Sequence, residues 1–250
     1  MHPASSQRII ATIEARMTST RLPGKVLMPL AGTPALARMI DRLRHTSFLD
    51  GIVIATTTNA TDDPIVALAE RLGVGVFRGS EEDVLGRVVG AARSAKADII
   101  VELTADCPLM DPRVVDRGIT EFFEHPCDVA ANVIRRSYAD GLDVQVYATS
   151  LLASVAEQTQ DPLDREHVTR YVYQREGRPY RIHHWGIDGA YAWPELRITL
   201  DERDDWRLID AVFEALLPSN PVFSYEEIVD FLRTRPDLVA LNAHVIPKTV

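Results

Sequence analysis

Residues 8–34 read RIIATIEARMTSTRLPGKVLMPLAGTP, an apolar run that gives way at Ala15 to a loop of hydroxyls and cations. The run Arg8–Glu14 is short, apolar and rich in isoleucine, which predicts a buried strand. The loop behind it carries Arg16, Arg21 and Lys25 among Thr18, Ser19 and Thr20, and Pro23-Gly24 forces a turn. Guanidinium forks, an ammonium and turn N–H groups are the donors that wrap a chain of phosphates. A solvated basic loop packed by Met17 and Leu22 is the plainer account, but the position directly after a first strand favours anion binding. A P-loop is excluded, because it needs glycine five positions before Gly24 and Ser or Thr after Lys25, where Ser19 and Val26 stand.

Outward from this segment the pattern repeats. Thr33-Pro34 supplies a cap and a first-turn proline for a helix to about His45. Gly51–Thr56 reads as a second strand, and Asp62 or Asp63 before Pro64 starts a helix to Leu72 that Gly73 ends. Val74–Phe77 is a third strand, Glu82–Ala95 a helix and Ala97–Leu103 a fourth strand; Asp111-Pro112 then opens a helix to about Glu124. Four alternations with short connections predict an α/β fold, a mostly parallel sheet flanked by helices on both faces. The rhythm breaks over residues 132–190, an inserted segment within a single domain of residues 1–250. There Asp143–Ala148 and Tyr180–Ile187 read as strands, Ser150–Gln158 and Asp164–Glu176 as helices. Leu196–Leu200 returns as a strand, helices follow near Arg203–Leu216 and Ser224–Arg233, and the pattern is weak from Ala240.

Ligands of open parallel sheets bind beyond the carboxyl ends of the strands. The polar residues of this chain collect at those ends: the Arg16–Lys25 loop, Thr56–Asn59, Arg78–Asp83, Thr104–Leu109 and Asp201–Asp205. Asp106 and Asp201 each follow an apolar strand, well placed to hold a hard cation through oxygen, although a turn or cap role is common for aspartate. Asp204 and Asp205 read as first-turn helix residues, favourable to the dipole. Cys107 beside Asp106 is a packed side chain, since neighbouring negative charge opposes the thiolate. His183-His184 shows no partner at metal-ligand spacing, which speaks against zinc. His167 opens a helix and is placed to touch a substrate, Asp164 being the plain capping residue for that start.

The chain of 250 residues, 46% apolar and 25% charged, is large enough to bury a core without disulfides or structural metal. Its net charge of −9 argues against nucleic-acid binding. Residues 1–45 nevertheless hold seven basic and two acidic side chains, a net of +5, so the other 205 sum to −14. That asymmetry suits a local anion site, although a solvated helix face of Arg38, Arg42 and Arg44 would account for part of it. No apolar run reaches 18 residues, and Met1–Arg8 lacks the order of a secretory signal, so no membrane partner is expected. Two cysteines fit a cytoplasmic location.

RIIATIEARMTSTRLPGKVLMPLAGTP, ATTTNATDDPIVALAERLGVGVFRGSEEDVLGR, ADCPLMDP, DGLDVQVY and DREHVTRYVY occur in this order. Together they resemble the cytidylyltransferases of the spore-coat polysaccharide protein F type, relatives of the synthetases that make CMP-activated acidic sugars. The resemblance runs from about Arg8 to Trp206. It implies a Rossmann-like nucleotidyltransferase fold, CTP as substrate, Mg²⁺ as cofactor and a homodimer built through the insertion. Carried onto this sequence, Ala15, Arg16, Arg21 and Lys25 hold the triphosphate, with Arg16, Lys25 and Asp106 catalytic. Asp106 and Asp201 bind the metal. Arg78, Ser80 and Arg87 belong to the cytosine and ribose wall. Asp140, Asp143, Gln145, Arg165, Glu166 and His167 face the acceptor, an acidic sugar or related small molecule. Departures stand at Glu14 (usually Gln), Glu102 and Ala105 (usually Arg and Gly), and Glu202-Arg203 (usually Thr-Pro). A glycosyltransferase using a nucleotide sugar, or a catalytically silent nucleotide-binding subunit, are the competing expectations.

Overall fold

The computed structural model describes residues 6–173 and 180–246. The first strand, β1 (Ile9–Glu14), is followed by a two-residue antiparallel ribbon, β2 (Pro29–Leu30) with β3 (Thr33–Pro34), and by α1 (Ala35–Leu43). Then come β4 (Gly51–Thr57), α2 (Asp63–Leu72), β5 (Gly75–Gly79), α3 (Val84–Ser94), β6 (Ile99–Thr104) and α4 (Pro112–Glu124). The next elements are β7 (Val129–Ala131), β8 (Gln145–Ala148), α5 (Thr149–Gln158), α6 (Pro162–Glu166), α7 (Arg170–Tyr173) and β9 (Ile182–His184). The chain closes with α8 (Arg203–Leu216), α9 (Tyr225–Arg233) and α10 (Pro236–Leu241).

Seven strands form one sheet in the order β5-β4-β1-β6-β8-β7-β9. The β5-β4-β1-β6 half is parallel throughout; β8 then runs antiparallel to β6 and to β7, and β9 parallel to β7. Alternation along β1 divides the core. Ile9, Ala11 and Ile13 turn to the face covered by α1, α2, α4 and α8, whereas Ile10 turns to the face covered by α3 and α5. Each fully buried isoleucine contributes roughly 1.5–3 kcal/mol from burial. Strands β8 and β9, from the segment 132–190, extend this same sheet. Among the described residues no helix is long and apolar enough to cross a membrane.

The structure departs from the expected elements in several places. Thr33-Pro34 pairs with Pro29-Leu30, so α1 begins one residue later than its proline, at Ala35. Asp164–Glu176 is not one helix: α6 ends at Glu166, before the extended His167, and its cap is Asp161, whose carboxylate accepts from Leu163 N–H. Val168 and Thr169, both β-branched, follow the break, and Thr169 Oγ1 donates to Gln145 Oε1 at 2.9 Å. Residues 174–176 lie outside the described residues. Leu196–Leu200 is extended and its apolar side chains are buried, yet it joins no ladder beyond one bridge between Asp140 and Arg197. Its amides reach loop carbonyls instead, Ile198 N–H to Asp140 O and Leu200 N–H to Asp106 O. A short helix absent from the expectation, α10, forms just before the weakly patterned end, over Pro236–Leu241, and packs on α8 and α9. Finally, Arg42 is buried rather than part of a solvated face, donating to the carbonyls of Met110 and Phe223 over the Phe223 ring.

Candidate active site

The parallel strand order reverses beside β1, between β4 and β6, and the chain places its most polar side chains at the carboxyl ends of β1 and β6. The loop after β1 is fixed at three points. Met17 N–H donates to Asp62 at 2.8 Å, Thr18 Oγ1 donates to Glu81, and Gly24, at φ 72°, lets its N–H turn back onto Met17 O at 2.9 Å. Asp62 itself is fully buried and accepts from Thr56 and Thr57 at the end of β4.

The turn at Gly24 sends Lys25 inward. Its Nζ donates to Asp106 Oδ2 at 3.0 Å and to Asp201 Oδ1 at 2.8 Å. Arg21 reaches the same Asp201 oxygen at 2.8 Å, and Arg197 takes the other one at 2.6 Å. Burial pushes the Lys25 ammonium down, but Asp106 and Asp201 outweigh it, and the pKa ends above the usual range. For Asp201, burial pushes up, and Lys25, Arg197 and Arg21 together hold the carboxyl below its usual range. Two aspartates thus converge on one ammonium, in a cleft of about 280 Å³ that also takes in Arg16, Arg21 and Arg87. Such a floor offers cations to an oligophosphate, and the carboxylate oxygens are the hard donors that Mg²⁺ accepts.

Ala15, Arg16, Arg21, Lys25, Arg87, Asp106, Asp201, Glu166 and His167 all line this cleft. Asp143 and Gln145 join Glu166 and His167 around an adjoining cavity of about 510 Å³. A second neighbour, about 560 Å³, brings Asp140 and Asp143 to the outer side of Asp106 and Asp201. Ser80 lies with Arg16 on the outer flank. Arg78 lines none of these; it donates to Thr57 O and Asn59 O and pairs with Asp63 at 2.7 Å, tying β5 to the start of α2. Arg165 likewise spends its guanidinium on Thr159 O, Ala156 O and Asp83. Arg87 is buried with its guanidinium on the carbonyls of Ala55 and Ser80, a brace for the cleft wall. Cys107 is packed, its thiol pushed well above the usual range by burial and by Asp106.

Three participants were not legible as site residues. Arg197 binds Asp140, Asp201 and the fully buried Asp205, joining the neighbouring cavity's Asp140 to the cleft floor. A charged residue alternating with Leu196, Ile198 and Leu200, four positions before Asp201, was its signal. Glu14 and Glu102 are neighbours across β1 and β6, and Tyr147 Oη donates to Glu102. Burial first, then Glu102, raises Glu14 well above the usual range; burial likewise raises Glu102 to about 7, against the opposing bonds from Tyr147 and Glu14. Glu14 Oε1 and Thr12 Oγ1 are buried without a hydrogen-bond partner. Glu202, by contrast, is occupied in the chain itself: it is the cap of α8, in a reciprocal box with Asp205.

A family model described as cytidylyltransferase matches residues 10–242. The spore coat polysaccharide biosynthesis protein SpsF of Bacillus subtilis is 33% identical over 234 residues, 92% of this chain and 95% of its own. The structure of a cytidylyltransferase from Leptospira borgpetersenii superposes with a TM-score of 0.87 at 29% identity, covering 98% of this chain and 99% of the other. A CMP:2-keto-3-deoxy-manno-octonic acid synthetase solved with CTP shares the fold, with a TM-score of 0.63 at 17% identity over 83% of this chain and 98% of its own.

Proposed function

The chain belongs to the cytidylyltransferase family, and on that premise we propose that it moves CMP from CTP to an acceptor oxygen, with pyrophosphate leaving. The observation that carries the reading is the Lys25 ammonium held between Asp106 and Asp201 on a floor flanked by Arg16 and Arg21. Transfer between two oxygens needs little covalent chemistry from the protein, so positioning and charge compensation supply the rate. Arg16, Arg21 and Lys25 bind the triphosphate and neutralise the charge that grows on the departing pyrophosphate. Asp106 and Asp201 would hold Mg²⁺, whose charge would offset that of the α-phosphate. Arg197 keeps Asp201 ionised and fixed in direction while Lys25 turns from the carboxylates to phosphate.

The acceptor lies in the cavity of about 510 Å³ bounded by Glu102, Asp143, Gln145, Glu166, Thr169 and Tyr173. Its hydroxyls meet the carboxylates and amide there, and an acidic group meets Arg136 and Arg170. A sugar of the acidic class, or a related small hydroxyl compound, suits this lining. The test is pyrophosphate release from CTP, UTP, ATP and GTP with Mg²⁺ against pooled acidic sugars, polyols and phosphonates. Release with CTP alone, dependent on one acceptor, is the expected result. Equal release from all four nucleotides, or no CTP binding at all, overturns it.

A further inference from the structure

Away from the transfer cleft, α4 and β9 bring together three side chains, two from one helix turn and one 62 residues from Glu121. Glu121 and His125 stand four residues apart at the end of α4, so both face the same side of the helix. Strand β9, at the sheet edge, lays His183 against them. His183 Nε2 is 2.8 Å from Glu121 Oε2, and His125 Nδ1 is 3.4 Å from the same oxygen. The two imidazoles are stacked, centroids 3.8 Å apart and planes 11° from parallel. One ligand atom from each of the three residues lies within 4.8 Å of the others. Arg117 takes the other carboxylate oxygen, Oε1, at 3.4 Å, which leaves Oε2 to the histidines. His125 is exposed and gives an ion a way in from solvent, while Glu121 and His183 are half-buried.

We propose that Glu121, His125 and His183 form a binding site for a borderline transition-metal ion, Zn²⁺ or a close relative such as Co²⁺ or Ni²⁺. Two imidazole nitrogens and one carboxylate oxygen are a donor set these ions accept, with water completing the coordination. Mg²⁺ and Ca²⁺ prefer oxygen throughout, so this site and the Asp106–Asp201 pair select different cations. Ligands of one tetrahedral ion, each about 2 Å from it, lie a little over 3 Å from one another, and Glu121 Oε2 already stands 2.8 and 3.4 Å from the two nitrogens. The rings must swing out of their parallel stack so that both in-plane lone pairs meet at one point, and His125 Nδ1 must leave the Glu121 carbonyl it contacts at 3.0 Å. A bound ion clips the end of α4 to the edge strand, and no residue of the trio lines the transfer cleft.

The probe is tag-free protein, stripped with chelator and exchanged into clean buffer, titrated with Zn²⁺ and separately with Co²⁺. The site predicts one equivalent bound, visible-region cobalt absorption from nitrogen and oxygen ligands, and a higher Tm with Zn²⁺. His125→Gln, on the exposed side chain, and His183→Gln each weaken binding tenfold or more, and Glu121→Gln weakens it as well. A millimolar excess of Mg²⁺ does not displace the ion. Unchanged Zn²⁺ affinity in the His125→Gln and His183→Gln proteins overturns the assignment. So does a near-ultraviolet thiolate-to-cobalt band, which would put the ion on Cys127 instead. Because the readout is metal binding and not transfer, its failure is separable from any failure of the cytidylyltransferase reading.

Discussion

Two charged regions meet at the carboxyl end of β1, and they handle charge in opposite ways. On the floor of the cleft, Asp106 and Asp201 face Lys25, Arg21 and Arg197, so every ionised group has a counter-ion within 3.0 Å. Beside it, Glu14 and Glu102 lie diagonally across β1 and β6, and burial raises both carboxyls above the usual range. The first region is organised to keep its charge when a highly charged ligand arrives. The second can stay buried only while it is partly neutral. Proximity along one strand therefore says little about protonation; the sign of the neighbours decides it.

The largest effect expected on the compensated side follows removal of Arg197. Arg197→Met leaves Asp205, fully buried, without its cation and should destabilise the fold by about 3–5 kcal/mol, read in chemical denaturation. Wild-type stability in that variant would mean that the bonds to Asp205 from Asn242 and the Asp201 and Glu202 amides suffice alone. Next, Lys25→Ala should lower kcat/KM for CTP at least 100-fold, about 3 kcal/mol of transition-state stabilisation. Full turnover in that variant would remove Lys25 from the mechanism.

The proton-held side gives an effect of opposite sign. The unfolded chain releases the Glu102 proton near pH 4.5, the folded protein at about 7. Stability should therefore fall as pH rises through that window and level out above it. Glu102→Gln keeps an oxygen for Tyr147 and removes the titration, so it should stabilise the protein at pH 8, on the order of 2 kcal/mol, and flatten the slope. A variant less stable than wild type at pH 8 would show that Glu102 is needed charged. Smallest of all, Arg78→Ala should cost roughly 1 kcal/mol of stability with CTP affinity nearly unchanged, since its guanidinium binds the chain and lines no cavity of the cleft. A tenfold loss of CTP affinity would return Arg78 to the nucleotide wall.

Much of this was legible in the sequence because local rules fix it. The alternation from Ile9 to Glu124 follows from apolar runs and from Gly73 and Pro112 at helix boundaries, and the Arg16–Lys25 loop declares itself by composition. Asp106 and Asp201 were visible as carboxylates ending apolar segments. What stayed hidden depends on distant pairing. Leu196–Leu200 has the alternation of a strand, but its hydrogen-bonding neighbours are the loops around Asp140 and Asp106. Arg42 and Arg78 look like solvent or ligand cations until carbonyls 19 or more residues away claim them. Glu14 and Glu102 were noticed only as departures, because 88 positions of sequence separate two carboxyls that burial raises together. His183 showed no metal partner because Glu121 and His125 reach it across the sheet edge.

The claim at the centre of this account is that the cation loop and the aspartate pair together hold a cytidine triphosphate. Calorimetric titration of CTP, with UTP, ATP and GTP alongside, into wild-type and Lys25→Ala protein with Mg²⁺ tests it without knowledge of the acceptor. CTP is expected to bind above the other three, with a loss of at least tenfold in the variant. No preference for CTP, or equal CTP affinity in both proteins, would contradict it.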